Sequence, residues 1–168
     1  MILVMPKSGS ILGVGCDLVE VERIKKVVEK QGDTFVERVF TAEERAYCFR
    51  MKNPYTHLAA RFAAKEAVAK AFTTGIGEDL SWKSISVGRG TRGQPLIKLD
   101  KQGQALLKEI GGAGIHISLS HTTTMAMAVA AIFRPENETE KDRLTRTPFA
   151  LGKIPKKASK PSDDKPSN

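Results

Sequence analysis

The sequence predicts a single mixed domain of helices and antiparallel hairpin strands over residues 10–134. Three patterns lead to this prediction. Apolar residues recur at helical spacing in residues 21–30, and residues 61–71 form an alanine-rich stretch typical of a helix that packs closely against a neighbour. In the second half, short apolar runs alternate with turn residues, as in hairpins.

The first half is expected to contain one strand and three helices. The predicted bounds are residues 11–18 for the strand, and residues 21–30, 42 onward and 54–72 for the helices. Two glycines in the strand allow another backbone to approach it closely. Gly32 ends the first helix, and a capping-box pattern at Thr41 begins the second. Asn53 and Pro54 begin the third, long helix.

The second half is expected to contain two hairpins with one helix between them. The predicted strands cover residues 84–87, 95–99, 115–120 and 125–133, and the helix covers residues 101–110. Gly75 and Gly77 stop the long helix and open a loop. Either glycine could end the helix or bring its backbone amide close to a phosphate. Helix termination is the favoured role for Gly75, and both roles remain open for Gly77.

Both ends of the chain are predicted to lie outside the domain. Residues 1–9 form an N-terminal extension, and translation starts at Met1 or Met5. Residues 135–168 form a basic tail rich in Lys, Pro and Ser. We expect this tail to be disordered, because it cannot bury enough apolar surface to fold alone. It either binds an anionic partner or is simply solvated, and solvation is the favoured interpretation.

Segment lengths and cysteine usage predict a cytoplasmic protein without membrane partners. The longest apolar stretch, residues 125–133, is far too short to span a bilayer, and no signal-peptide pattern follows Met1. The two cysteines, Cys16 and Cys48, lack metal-ligand spacing, which favours a reduced intracellular compartment.

The net charge of +8 and the pI near 9.6 indicate an anionic partner. Residues 1–133 hold 18 basic and 13 acidic side chains, a net of +5, so the excess is not confined to the tail. An RNA- or polyanion-binding module is one alternative. With one Trp and two Tyr, however, the chain lacks interleaved aromatics for base stacking, and no nucleic-acid partner is expected.

Two carboxylates stand out by their surroundings. Asp17 ends a glycine-punctuated apolar run, and Glu66 interrupts the alanine-rich helix. Two acidic ligands from separate elements, with Lys70 one turn after Glu66, would suit a hard divalent cation and a phosphate substrate. Each residue also has a plainer interpretation. Glu66 and Lys70 could form a surface ion pair, Asp17 could cap a strand end, and His121 could be a loop histidine bonded to backbone.

Five segments taken together resemble, in order, the motifs of the holo-[acyl-carrier-protein] synthases. They are residues 13–24 (GVGCDLVEVERI), 61–72 (RFAAKEAVAKAF), 74–77, 93–95 and 117–122 (ISLSHT). The resemblance implies an α+β fold of the 4'-phosphopantetheinyl transferase type, with a small antiparallel sheet packed against a long helix. A single-half chain of this kind is expected to form a homotrimer with sites between subunits. Cys16 departs from the family pattern, which usually has an aliphatic residue there.

The resemblance also implies an activity. Such enzymes transfer 4'-phosphopantetheine from coenzyme A to a serine of an acidic acyl carrier protein in fatty acid biosynthesis, with release of adenosine 3',5'-bisphosphate. A larger-type transferase acting on peptide or polyketide carriers is a second alternative, but this chain is too short for two fused halves. Asp17 and Glu66 fall on the family's Mg²⁺ ligands, and Lys70 would place a cation beside the same phosphates.

The resemblance leaves more than one role open for the other site residues. A metal-bound water, Glu66 or His121 could take the serine proton, and His121 could instead contact phosphate. Arg61 and Lys65 either face the 3'-phosphate of coenzyme A or solvate the helix.

Arg23, with Lys26 and Lys30 on the same helix face, falls on the family's carrier-binding position. A positively charged helix would steer an acidic carrier protein to the enzyme. The alternative is an amphipathic helix with a solvated basic face.

Overall fold

The computed structural model describes residues 9–134. The N-terminal segment 1–8 and the predicted basic tail lie outside the described residues. The strands are β1 (Ser10–Glu20), β2 (Ile85–Arg89), β3 (Pro95–Leu99), β4 (Gly114–His121) and β5 (Met125–Arg134). The helices are α1 (Val21–Gln31), α2 (Asp33–Val39), α3 (Ala42–Phe49), α4 (Pro54–Ala71) and α5 (Lys101–Glu109), with a 3₁₀ turn at Trp82–Ser84.

Local signals placed most helix ends correctly. Gly32 follows α1 with a φ of 55° and donates its amide to Val28. Thr41 and Glu44 form the predicted capping box of α3, and the Asn53 side chain accepts the amide of Tyr55 at the start of α4. Gly75 adopts a φ of 67° and donates its amide to the carbonyl of Ala69, which helps to end α4.

The sequence analysis missed α2 and predicted β1 and β5, the first and last strands along the chain, too short. Helix α2 has only seven residues, too few to show a helical period, and it contains β-branched and aromatic side chains. Strands β1 and β5 extend beyond the predicted bounds because each finds a full-length partner. His121, predicted in a loop, is the last residue of β4.

Two antiparallel sheets form the β part of the fold. One has the strand order β1–β5–β4, and the other is the β2–β3 hairpin. In the larger sheet, Asp17 pairs with Ala128, which pairs in turn with Leu119. Val19, Ala126 and His121 are aligned in the same way two residues further along β1. Since side chains alternate between faces along a strand, these two rows share one face of the sheet.

Helix α4 packs on that face at unusually close range. A Cβ atom on Gly15 would overlap the Ala67 carbonyl oxygen, and one on Gly13 would overlap that of Ala71. The alanines of α4 are buried, so small side chains face small side chains across the contact. The predicted close approach of another backbone to the glycine-containing strand is therefore confirmed.

The opposite face of the larger sheet is partly open. Val14 and Leu18 on β1 are each 60% exposed, and Met127 on β5 is 43% exposed. Among residues 9–134, no helix has the length and apolar content needed to cross a membrane.

The contact between β1 and α4 leads to a stability prediction. We expect Gly15→Ala to lower the free energy of unfolding by roughly 3 kcal/mol, because the added methyl group would meet backbone atoms rather than a movable side chain. Gly77→Ala is the matched control, since no atom lies within 4 Å of its added methyl group. Urea unfolding measures both variants, and equal stability of the two would contradict the packing argument.

Candidate active site

The two predicted carboxylates lie on opposite sides of the contact between β1 and α4. Asp17 points from β1 toward the helix, and Lys70 of α4 meets it. The Lys70 ammonium donates to Asp17 Oδ1 at 2.7 Å and to the Cys16 carbonyl at 3.1 Å. Glu66 lies one helical turn before Lys70, on the same face of α4. The structure therefore brings Asp17, Glu66 and Lys70 together.

The charges of this cluster act on one another. The pKa of Glu66 is raised, first by partial burial and then by the neighbouring charge of Asp17, while Lys70 and Arg23 act in the opposite direction. The pKa of Lys70 is raised, chiefly by its hydrogen bond to Asp17. A cation placed between the two carboxylates would relieve the repulsion that raises the pKa of Glu66.

The donor set of this cluster suits Mg²⁺. Asp17 and Glu66 offer carboxylate oxygens only, and Mg²⁺ is commonly bound by one or two carboxylates together with waters and substrate phosphates. Within residues 9–134 there is no group of three or more His, Cys, Asp or Glu side chains that could hold a metal by themselves. The site thus fits an ion whose remaining ligands come from substrate and solvent, not a protein-only metal cage.

A second cluster, of cations, surrounds the ring of Tyr47. The Arg61 guanidinium lies 4.1 Å from the ring centroid and that of Arg89 lies 5.3 Å from it. Arg89 also donates to the Tyr47 hydroxyl at 3.3 Å. Arg61 is only 5% exposed, and its Nε has no hydrogen-bond partner among the described residues. Its interpretation as a solvated helix residue is therefore wrong.

Two histidines lie beside the cation cluster. The rings of His57 and His121 are 5.4 Å apart, and His57 also makes an edge contact with Tyr47 at 5.8 Å. The pKa of His57 is lowered, first by burial and then by the positive charges of His121, Arg61 and Arg89.

The two arginines and the two histidines line an open cavity of about 250 Å³, together with Tyr47 and Leu119. We call it the cation cavity. No Asp or Glu occurs among the described residues that line it. A neighbouring cavity of about 350 Å³ shares Tyr47, Arg61 and Arg89 and adds Arg50 and Glu43. The smaller cavity is therefore suited to an anion.

The carboxylate cluster and the cation cavity are linked through the sheet. Asp17 and Leu119 are aligned on either side of Ala128, and Leu119 lines the cavity. Two strand spacings separate them, which is about 10 Å between backbones. Both clusters face α4, which supplies Glu66 and Lys70 to one and Arg61 to the other.

Lys65 corrects the sequence analysis. It was expected either to face a phosphate or to solvate the helix, but its side chain is fully buried. Its ammonium lies 2.8 Å from Glu44 and donates to the carbonyls of Trp82 and Ile85 at 2.9 and 2.7 Å. Burial lowers the pKa of Lys65, and the charge of Glu44 opposes this effect. Lys65 is thus a structural residue that joins α4 to α3 and β2.

Other predicted residues lie outside the two clusters. Gly77 donates its amide to the Leu80 carbonyl at 3.0 Å, and no described contact joins it to either cluster. Arg23, Lys26 and Lys30 are exposed on α1, and only Arg23 is close enough to Glu66 to affect its pKa.

Sequence reasoning missed His57, Tyr47 and Arg89. His57 precedes Arg61 by one helical turn, and this spacing was an available signal for it. Tyr47 and Arg89 come from α3 and β2, and nothing in their local sequence indicates that they meet.

Residues 13–130 match the family model of the 4'-phosphopantetheinyl transferase superfamily. The chain belongs to this superfamily. A holo-[acyl-carrier-protein] synthase of Chlamydia trachomatis serovar L2 is 48% identical over 120 residues, covering 71% of this chain and 98% of that protein. One from Ruminiclostridium cellulolyticum is 43% identical over 120 residues, covering 71% of this chain and 90% of that protein.

Solved structures agree with this assignment. The holo-[acyl-carrier-protein] synthase of Neisseria meningitidis matches with a TM-score of 0.69 and 33% identity, covering 73% of this chain and 98% of that chain. The Helicobacter pylori enzyme in complex with coenzyme A matches with a TM-score of 0.64 and 32% identity, covering 71% and 98%. The resemblance to holo-[acyl-carrier-protein] synthases, the enzyme class and the α+β class are therefore confirmed.

Proposed function

We propose that this protein transfers the 4'-phosphopantetheine group of coenzyme A to a serine of an apo acyl carrier protein, in fatty acid biosynthesis. The observation that carries the proposal is the convergence of Asp17, Glu66 and Lys70 where β1 meets α4. The similarity to an H. pylori enzyme bound to coenzyme A supports coenzyme A as the donor. The similarity to holo-[acyl-carrier-protein] synthases supports an acyl carrier protein as the acceptor.

In this reaction the serine hydroxyl oxygen attacks the phosphorus that carries pantetheine, and the bond from that phosphorus to adenosine 3',5'-bisphosphate breaks. Asp17 and Glu66 would hold Mg²⁺, and this ion would neutralise the negative charge of the pyrophosphate. Lys70 adds a compact positive charge beside the same phosphates. The serine proton goes to a base, for which Glu66 and His121 are the candidates on this chain.

The cation cavity would hold the 3'-phosphate of coenzyme A. Arg61 is nearly buried and its Nε has no hydrogen-bond partner among the described residues, and both Arg61 and His121 line the cavity. The 3'-phosphate and the pyrophosphate are carried by one ribose. The cavity is separated from the carboxylates by two strand spacings, about 10 Å. It is therefore suitably placed to bind the 3'-phosphate while the pyrophosphate lies at Asp17.

Helix α1 would dock the acidic carrier protein. Its exposed residues Arg23, Lys26 and Lys30 begin directly after β1, which carries Asp17. A carrier held there would present its serine near the carboxylates. Positive charge at this position would also speed association with an acidic partner.

The open face of the larger sheet would form the interface of a homotrimer. Val14, Leu18 and Met127 expose apolar surface on one side of adjacent strands. Such patches mark interaction sites in proteins of this size.

A cytoplasmic location is part of the same proposal. It is supported by Cys16 and Cys48, which are both free thiols in the structure.

The activity proposal predicts a metal-dependent mass gain on the carrier protein. Incubation with apo carrier protein, coenzyme A and Mg²⁺ should convert the carrier to its holo form, as measured by intact-mass spectrometry. Asp17→Asn and Glu66→Gln, or removal of metal with EDTA, should reduce the rate by roughly 100-fold or more, because even indirect partners of metal ligands contribute 10–100-fold. The exposed residue Asp79 gives the control variant Asp79→Asn, which should keep its rate. Absence of a mass gain with any carrier protein would instead favour a binding module.

The docking proposal predicts a selective effect on the carrier protein. We expect Arg23→Glu to raise the KM for the carrier roughly tenfold while changing the KM for coenzyme A far less, since the reversed charge repels an acidic partner. Lys26→Glu tests the same face without altering a charge that acts on Glu66. Lys101→Glu, on exposed α5, is the matched control. Equal changes in both KM values would contradict docking at α1.

The interface proposal predicts a change in oligomeric mass. The unaltered protein should elute as a trimer in size-exclusion chromatography with light scattering. Leu18→Glu should dissociate it, because a carboxylate cannot be buried cheaply at an apolar contact. Leu96→Glu changes an exposed leucine of the other sheet, and this control should remain a trimer. A monomeric wild-type protein would refute the proposal.

A further inference from the structure

His57 is a histidine of the cation cavity to which neither the motifs nor the proposed function assigns a role. It lies one helical turn before Arg61, and its backbone carbonyl accepts from the Arg61 guanidinium at 3.4 Å. Its ring makes edge contacts with the rings of His121 and Tyr47 and lines the cavity between them. The two imidazoles therefore form adjacent parts of one wall.

The groups that face His57 are positively charged or neutral on every element around it. Arg61 comes from α4, Arg89 from β2, His121 from β4 and Tyr47 from α3. No carboxylate among the described residues lines this cavity to balance them. This environment disfavours an additional positive charge on His57 as long as the cavity holds no anion.

We propose that His57 is a second phosphate-binding histidine, which becomes protonated when a phosphate monoester enters the cavity and so makes the affinity for coenzyme A depend on pH. The inference rests on the proposed function, because it takes the 3'-phosphate of coenzyme A as the monoester. Each phosphate of the coenzyme A pyrophosphate is substituted on two sides, as in a diester, and carries a single negative charge. The 3'-phosphate alone supplies a dianion close to neutral pH.

The direction of the pH dependence follows from linkage. The unliganded protein has a lowered pKa at His57. A bound dianion raises that pKa, so binding takes up a proton. Affinity therefore increases as pH falls from the pKa of the complex to the pKa of the free protein, by at most about tenfold per pH unit for one group. The phosphate itself loses its second charge below about pH 6, which opposes the trend there but is common to all variants.

The first test compares coenzyme A with 3'-dephospho-coenzyme A in steady-state assays between about pH 6.5 and 8.5, a range that lies above the second pKa of the phosphate. For wild-type protein the KM for coenzyme A should rise across this range, while that for the dephospho compound should stay nearly level. His57→Gln should raise the KM for coenzyme A roughly fivefold at the low end and approach wild type at the high end, with kcat within about twofold. His57→Lys should retain tight binding and lose the pH dependence, because its charge persists.

The second test does not require turnover. Isothermal titration of coenzyme A in buffers of different ionisation enthalpy counts the protons taken up on binding. Wild type should take up protons near pH 7.5, and His57→Gln should lose most of this uptake although His121 is still present. Unchanged proton uptake in His57→Gln would overturn the proposal. So would an equal rise with pH of the KM values for coenzyme A and 3'-dephospho-coenzyme A in the first test.

The two tests separate this inference from the proposed function. If wild-type protein binds coenzyme A with His57-dependent proton uptake but modifies no carrier protein, the proposed transfer fails and the phosphate site stands. If carrier modification proceeds and His57→Gln behaves as wild type, the phosphate-binding role of His57 fails and the transfer stands. If coenzyme A does not bind at all, both are refuted.

Discussion

The close contact between β1 and α4 is the constraint on which the rest of the site depends. Gly13 and Gly15 leave no side chain between the strand and the helix, so the backbone of α4 lies directly against β1. Only at this distance can Lys70 bond Asp17 while Glu66 stands beside them. A larger side chain at either glycine would push the two carboxylates apart, because backbone atoms of α4 would have to move.

The same helix separates two regions of opposite charge. Its C-terminal half carries Glu66 toward Asp17, and its N-terminal half carries His57 and Arg61 toward Tyr47. The first region attracts a cation and the second an anion. A ligand that contains both a metal-binding pyrophosphate and a separate phosphate monoester would satisfy both regions at once.

A buried ion pair holds the wall of the cation cavity in place. Glu44 accepts from Lys65 and from the backbone amides of Thr41 and Val87, so its oxygens are well satisfied. Lys65 in turn bonds the carbonyls of Trp82 and Ile85. The pair thereby ties α3 and β2, which supply the Tyr47 and Arg89 side chains, to α4. Losing one member would leave an uncompensated buried charge, whereas the intact network gives the cavity a fixed shape.

The sequence alone determined the features that depend on neighbours in the chain. Helix caps at Thr41 and Asn53, the hairpin of β2 and β3, and the ordered motifs with Asp17 and Glu66 were all readable, because their signals lie within a few residues. Tertiary structure decided what each side chain faces. Nothing local distinguishes Lys65, which is buried against Glu44, from Lys70, which reaches Asp17, since both are lysines of one alanine-rich helix. The cation cavity likewise depended on the fold, because α3, α4, β2 and β4 meet only when the chain has packed.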